Sequence, residues 1–226
     1  MVGISRRAPA GAGVEHLAAD LSDPAQWAAV GASFEKELGG FDGEHVAFIH
    51  AAATLEPVGF AGEVENDAYL GNVLVNSAAP QFLGHLFLAA VRQVRAKRYL
   101  AMLTSGAATS VYPGMTGYGA GKAAIDQWVR NAGAEQSRRG GVQILSIGPG
   151  TVDTGMQAQA RDVSEEDFPR RQKFVDLQTS GKLSDPDEVA RDIWNLFEQD
   201  LENGSVVDLR QLSKSGDGGA APARPA

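Results

Sequence analysis

What most restricts this chain is a series of short runs that are apolar almost throughout, separated by longer segments of helical period. Met1 to Ser5, His45 to His50, Arg98 to Ser105, Val142 to Ile147 and Ser205 to Leu209 read as strands. In VAFIH and YLAMLTS the apolar residues do not alternate with polar ones, so both faces of each strand need cover. Strands of that kind belong to a parallel sheet with helices on either side, and the predicted fold is a doubly wound α/β sheet of Rossmann-like type. Ser22-Asp23-Pro24 provides a cap and a first-turn proline for a helix running to Leu38, where Gly39-Gly40 ends it. Further helices are predicted from about Leu74 to Lys97, from Gly117 to Arg138, and from Asp187 to Leu201 behind Ser184-Asp185-Pro186. Sheets of this class bind ligands beyond the carboxyl ends of their strands, which directs attention to the loops after Ser5, His50, Ser105 and Ile147.

Composition narrows the function. With 226 residues, 43% of them hydrophobic, the chain can bury one sizeable core, and one domain over residues 1–212 is expected. The tail, SKSGDGGAAPARPA over residues 213–226, is too small and polar to bury surface and reads as disordered. A net charge of -8 without a long basic run argues against nucleic acid. Cysteine is absent, which excludes disulfides, thiolate metal sites and a cysteine nucleophile, and fits a reducing compartment such as the cytoplasm. No metal site is expected. Even Phe82 to Val91 is interrupted by Gly84 and His85, so no membrane-spanning segment is expected. At the start, apolar residues precede two arginines, the reverse of a secretory signal.

The chemistry concentrates in TSGAATSVYPGMTGYGAGK, residues 104–122. Tyr118 and Lys122 stand four apart at the opening of a helix and so share a face. An ammonium beside a phenol stabilises the phenolate and is expected to draw the tyrosine pKa down from about 10, toward working pH. Ser105, at a strand end upstream, is placed to hydrogen-bond the same substrate oxygen, giving two donors on one carbonyl. A tyrosine and a lysine four apart often mark nothing more than a solvated helix face. Here the upstream serine, the small residues Gly119, Ala120 and Gly121 between the pair, and the IGPGTVDTGM loop all converge on one arrangement. A serine hydrolase is excluded, because Ser105 does not sit in GxSxG and no histidine follows His85.

These residues resemble the short-chain dehydrogenase/reductase family, whose YxxxK pair, upstream serine and PG loop are matched by Tyr118-Lys122, Ser105 and Pro149-Gly150. The likeness runs from residue 1 to about Leu212. TSGAA, YPG and SVVDLR look like its sepiapterin-reductase or benzil-reductase branch. By this resemblance Tyr118 is the general acid, Lys122 also binds the nicotinamide ribose, Ser105 orients the carbonyl, and Asn76 rather than Asn72 continues a proton relay. Val152 and Thr154, with Pro149 and Gly150, face the nicotinamide carboxamide, and the backbone of Ala51 and Ala52 lies along the cofactor. Ser5 and Arg6, followed by Arg7, stand where NAD-selective members carry a carboxylate, which implies NADP(H). Asp20 and Leu21 correspond to the pair flanking the adenine. The resemblance further implies a small-molecule carbonyl substrate and a homodimer or homotetramer. In the segment from Val152 to Ser180, which matches no family motif, Met156, Phe168 and Phe174 are expected as apolar lining of the substrate side.

Two departures accompany it. The glycine-rich TGxxxGxG turn that holds the pyrophosphate is missing, and GAGV at Gly11 to Val14 opens no helix. Met1 then aligns inside the family's second strand, so the fold is expected to lack the first strand and first helix. This leaves two readings: an NADP(H)-dependent reductase whose native start lies upstream, or a shortened, noncatalytic binding module. The other departure is IHAAAT at Ile49 to Thr54, where the family commonly has Asn-Asn-Ala-Gly, so that His50 and Ala51 replace two asparagines.

Overall fold

A computed structural model of the chain describes residues 1–9 and 13–215. Among the described residues six strands and eight α-helices follow one another in largely alternating order, and every strand pairing is parallel. Strands β1 (Val2–Ser5) and β2 (Glu15–Ala18) form a two-stranded sheet. Strands β3 (His45–His50), β4 (Lys97–Leu103), β5 (Gln143–Gly148) and β6 (Val206–Asp208) form a four-stranded sheet in that order. Among the described residues no strand joins β1 to β3, so the sheet is divided where the sequence leads one to expect a missing strand.

The apolar strands are covered on both faces, as their composition demands. Leu100 and Met102 of β4 pack with Ile144 of β5 against Phe87, Val91, Ile125 and Val129 on one side. The alternate residues Tyr99, Ala101, Leu145 and Ile147 pack on the other side against Val189, Ile193 and Leu196. Those residues come from α3 (Ala79–Ala90) and its succeeding turn, α4 (Thr116–Ser137) and α7 (Pro186–Leu196). A third cluster around Trp27, Val30 and Leu83 ties Ile4 and Leu17 of the small sheet to Phe48 of the large one, through α1 (Trp27–Leu38).

Local signals account for most boundaries. Asp23 caps the 3-10 turn Pro24–Gln26 ahead of α1, and the Gly39 amide closes its end on the Glu35 carbonyl at 2.9 Å. Asp185 accepts from the amides of Asp187 at 2.9 Å and Glu188 at 3.1 Å, which fixes the start of α7. Three expectations are corrected. The helix predicted from Leu74 begins at Asn66, as α2 (Asn66–Val73) runs through a π-helical turn, Leu74–Ala78, into α3. Next, α8 (Leu209–Ser215) passes the boundary expected at 212, while residues 216–226 of the expected tail lie outside the described residues, as do Gly11 and Ala12. Finally, Asn66–Gln93 does have the length and composition to cross a membrane. Within it Asn72, Asn76, Ala79, Leu83 and Phe87 are buried against the rest of the fold, while Leu70, Val73 and Phe82 are exposed. The loops after β5 and α5 (Gly155–Asp162) lead through α6 (Arg171–Thr179) to α7, building a lobe over the carboxyl ends of the strands.

Helix α4 touches the turn before β6 at Gly133, where an added Cβ would lie 2.3 Å from both the nitrogen and Cα of Gly204. Backbone cannot withdraw as a side chain can, so Gly133→Ala is expected to destabilise the fold by about 1–3 kcal/mol. Gly71, in α2 with nothing within 4 Å, is the contrasting site. There Gly71→Ala should stabilise by about 0.5–1 kcal/mol. Urea midpoints of the two variants should therefore move in opposite directions.

Candidate active site

The site forms where β4 ends and α4 begins. Ser105 caps the short turn Gly106–Ala108, its hydroxyl oxygen accepting from the Ala107 amide at 3.2 Å. Lys122 is 3% exposed, and its ammonium donates to the Leu103 carbonyl at 2.7 Å while lying 5.6 Å from the centre of the Tyr118 ring. Burial lowers the lysine pKa to about 8, opposed by the Asp126 carboxylate one turn further along. Asp126 itself accepts from the Ser146 hydroxyl at 2.6 Å.

Tyr118 does not shift as its spacing from Lys122 leads one to expect. Burial raises its pKa, and a hydrogen bond with Ser105 pulls it back only in part. The ammonium is bonded to Leu103, so desolvation of the phenol dominates. The result is a tyrosine that keeps its proton at neutral pH, the form required of a proton donor.

His50 closes β3 beneath this group. Burial, and then the positive charge of Lys122, lower its pKa to about 4, so it is neutral, and its Nε2 has no hydrogen-bond partner. Asn76 lies in the π-helical turn, where its amide grips the loop after β3. Its Oδ1 accepts from the Thr54 amide at 3.0 Å, and its Nδ2 donates to the Thr54 carbonyl at 2.8 Å and to Asn72 Oδ1 at 2.9 Å. Asn72 donates to the Glu56 carbonyl at 2.8 Å. One amide proton of Asn76 thus braces that loop, and the other goes to Asn72, whose own amide grips the same loop.

Above these residues opens a cavity of about 830 Å³. Ala51, Ser105, Tyr118, Lys122, Pro149, Gly150, Val152 and Thr154 line it, as does the apolar pair Met156 and Phe174. Phe168 does not; it is fully buried beneath Phe174, with ring centres 5.3 Å apart. Ser5, Arg6, Asp20, Leu21 and Ala52 lie outside the cavity wall. Asp20 receives the amide and hydroxyl of Ser22 at 2.9 and 2.7 Å, which lowers its pKa, and buried Leu21 receives the Trp27 indole at 3.1 Å. Both residues therefore organise the approach to α1. Sequence spacing gave no sign of Tyr112, Lys173, Trp194, Asp208 and Arg210, which also line the cavity from elements remote along the chain.

The nicotinamide end of a dinucleotide fits this cavity. Ala51, Gly148 and Gly150 at the strand ends are small, and Gly150 takes a φ of +81° at the turn. Among the described residues β1 leads through exposed Arg6 and Arg7 to β2 with no helix between them, so this connection offers a pyrophosphate no helix N-terminus.

A family model described as "Enoyl-(Acyl carrier protein) reductase" matches residues 4–204, nearly the whole of the described fold. The chain belongs to the short-chain dehydrogenase/reductase family. It is 32% identical over 183 residues to the benzil reductase of Bacillus subtilis (strain 168), covering 79% of this chain and 75% of that one. Mouse sepiapterin reductase is 35% identical over 108 residues, 47% of this chain and 40% of its own length. Among solved structures, KRED1-Pglu superposes with a TM-score of 0.76 at 25% identity, covering 91% of this chain and 88% of that one. This short-chain dehydrogenase/reductase therefore has the family's α/β fold and belongs to a family of oxidoreductases that use nicotinamide cofactors.

The folded pKa of His50, about 4, lies below its ordinary 6.5, so unfolding takes up a proton between these values. Its neutral burial therefore adds stability that is complete above pH 6.5 and is lost as pH falls toward 4, by roughly 3 kcal/mol. Chemical denaturation across that window should show a steeper loss for the wild type than for His50→Leu.

Proposed function

We propose that the protein is an NADP(H)-dependent carbonyl reductase, in which Tyr118 gives a proton to the oxygen of a ketone or aldehyde. The observation that carries this reading is the meeting of Ser105, protonated Tyr118 and buried Lys122 on one wall of a cavity large enough for a nicotinamide and a small organic substrate. When bound, the reduced nicotinamide supplies the hydride. The Ser105 hydroxyl donates to the carbonyl oxygen, and the Tyr118 phenol completes the alcohol by delivering its proton there. As the phenol loses that proton, the Lys122 ammonium beside it stabilises the resulting charge. Asn76 acts as a positioning residue, holding Thr54 and with it the loop along which Ala51 and Ala52 offer their backbone to the cofactor. Pro149, Gly150, Val152 and Thr154 face the carboxamide.

Preference for the phosphorylated cofactor rests on the end of β1, where Ser5 and exposed Arg6 present a hydroxyl and a positive charge instead of a carboxylate. Asp20 and Leu21 shape the adjoining turn. Leu70, Val73 and Phe82 leave apolar surface exposed along α2 and α3, which suits pairing into a homodimer or homotetramer. Such an enzyme works in the cytoplasm.

A second reading, a noncatalytic family member acting as a binding or interaction module, is favoured by the divided sheet among the described residues. Fluorescence titration with NADPH separates the two, since binding in the micromolar range supports the reductase. Tyr118→Phe should lower turnover of an aryl ketone by about 10²–10⁴-fold with NADPH affinity retained. An unchanged rate would remove Tyr118 as the acid.

A further inference from the structure

The same cavity wall carries, packed in one cluster with Tyr118, a second tyrosine with its own lysine. Tyr112, in the loop before α4, packs with Phe174 and shares an apolar cluster with Met115, Met156 and Tyr118. The ammonium of Lys173, on α6, donates to the Tyr112 hydroxyl at 2.7 Å and lies 5.1 Å from its ring centre. The guanidinium of Arg170 stands 4.8 Å from the same ring. Neither Lys173 nor Arg170 has a carboxylate partner among the described residues. Arg210 also lines the cavity, with Asp208 paired to it, Nε to Oδ1 at 2.9 Å. Among the described residues the cavity wall thus carries Lys122, Lys173 and Arg210 against one carboxylate, that of Asp208, in a chain whose net charge is -8. The acidic run Glu165 to Asp167 on the same lobe does not reach the wall.

A surplus of positive charge inside a mostly apolar cavity creates a potential that draws in an anion. Lysine bonded to a phenol through one proton has two more to offer, and a phenol that accepts from the ammonium keeps its own proton for donation. We propose that Tyr112 and Lys173 form a subsite for the carboxylate of an aromatic keto acid, whose ring lies on Met115, Met156 and Phe174 and whose carbonyl meets Tyr118. This rests on the reductase reading above. The reaction is then reduction of a keto acid to the hydroxy acid, with hydride from the reduced nicotinamide cofactor, proton from Tyr118, and the oxidised cofactor released. Lys173 is a specificity-determining residue, and Arg170 reinforces its field from outside the cavity.

The test compares phenylglyoxylate with its neutral methyl ester on the full chain, by calorimetric binding and by turnover with NADPH. The acid should bind more tightly than the ester, by about tenfold, as a charge-assisted contact at a partly exposed site allows. Lys173→Met and Tyr112→Phe should each lower that acid-to-ester ratio, the lysine variant by about tenfold, and added salt should weaken acid binding more in the wild type than in Lys173→Met. Equal binding of acid and ester, or a ratio unmoved in Lys173→Met, would overturn the subsite. So would a loss confined to NADPH affinity, which would give these cations to the cofactor instead. Binding without cofactor keeps the two readings apart, because Tyr118→Phe bears on turnover and leaves the acid-to-ester binding ratio to report on Lys173.

Discussion

The structure is organised around one buried cation. Lys122 is taken out of water on the inner face of α4, and a single carbonyl, that of Leu103, receives its ammonium. Holding a charge there is unfavourable, and its lowered pKa of about 8 measures how unfavourable. The surroundings explain why it persists. Asp126 lies one turn on, Tyr118 one turn back, and the end of β4 supplies both Leu103 and Ser105. Close approach is permitted by Gly121, where a Cβ would stand 2.7 Å from that of Asn76. The glycine that brings α4 against the π-helical turn therefore also sets the lysine between the strand end and the phenol.

The same contact links the site to the fold. Asn76 and Asn72 spend their amides on the backbone of Thr54 to Glu56, so the loop leaving β3 is fixed by the helix that α4 touches. Turns in which the helical ladder slips to a wider spacing are frequent at functional sites. Here the widened turn carries Asn76 itself. The cavity thus has a rigid floor made by β3, β4 and α4, while its outer wall comes from the lobe carrying α5 and α6. In a fold used for many reactions, the floor determines the chemistry and the wall selects the substrate.

Much of this was legible in the sequence because it depends on near neighbours. The strand β3 is bounded where its apolar run is bounded, and Tyr118 and Lys122 share a face because helical geometry puts residues four apart on one side. Other features were hidden. Strand β2 has four residues with no run of apolar character, and α2 carries Gly71 and mixed polarity, so neither has a strong period. The direction of the Tyr118 shift follows from desolvation, which no spacing reveals. Lys173 meets Tyr112 across 61 positions of chain, a contact that exists only once the lobe has closed over the strand ends.

If burial of Lys122 is the constraint on which the site depends, its titration is the direct measure. Nuclear magnetic resonance of carbon-labelled lysine ε-positions, assigned through Lys122→Met, follows that one ammonium through its pH transition. A midpoint near 8, well below the 10.5 of an ordinary lysine, is the predicted result. A midpoint at 10 or above would place the ammonium in water and contradict the arrangement of Leu103, Ser105 and Tyr118 around it.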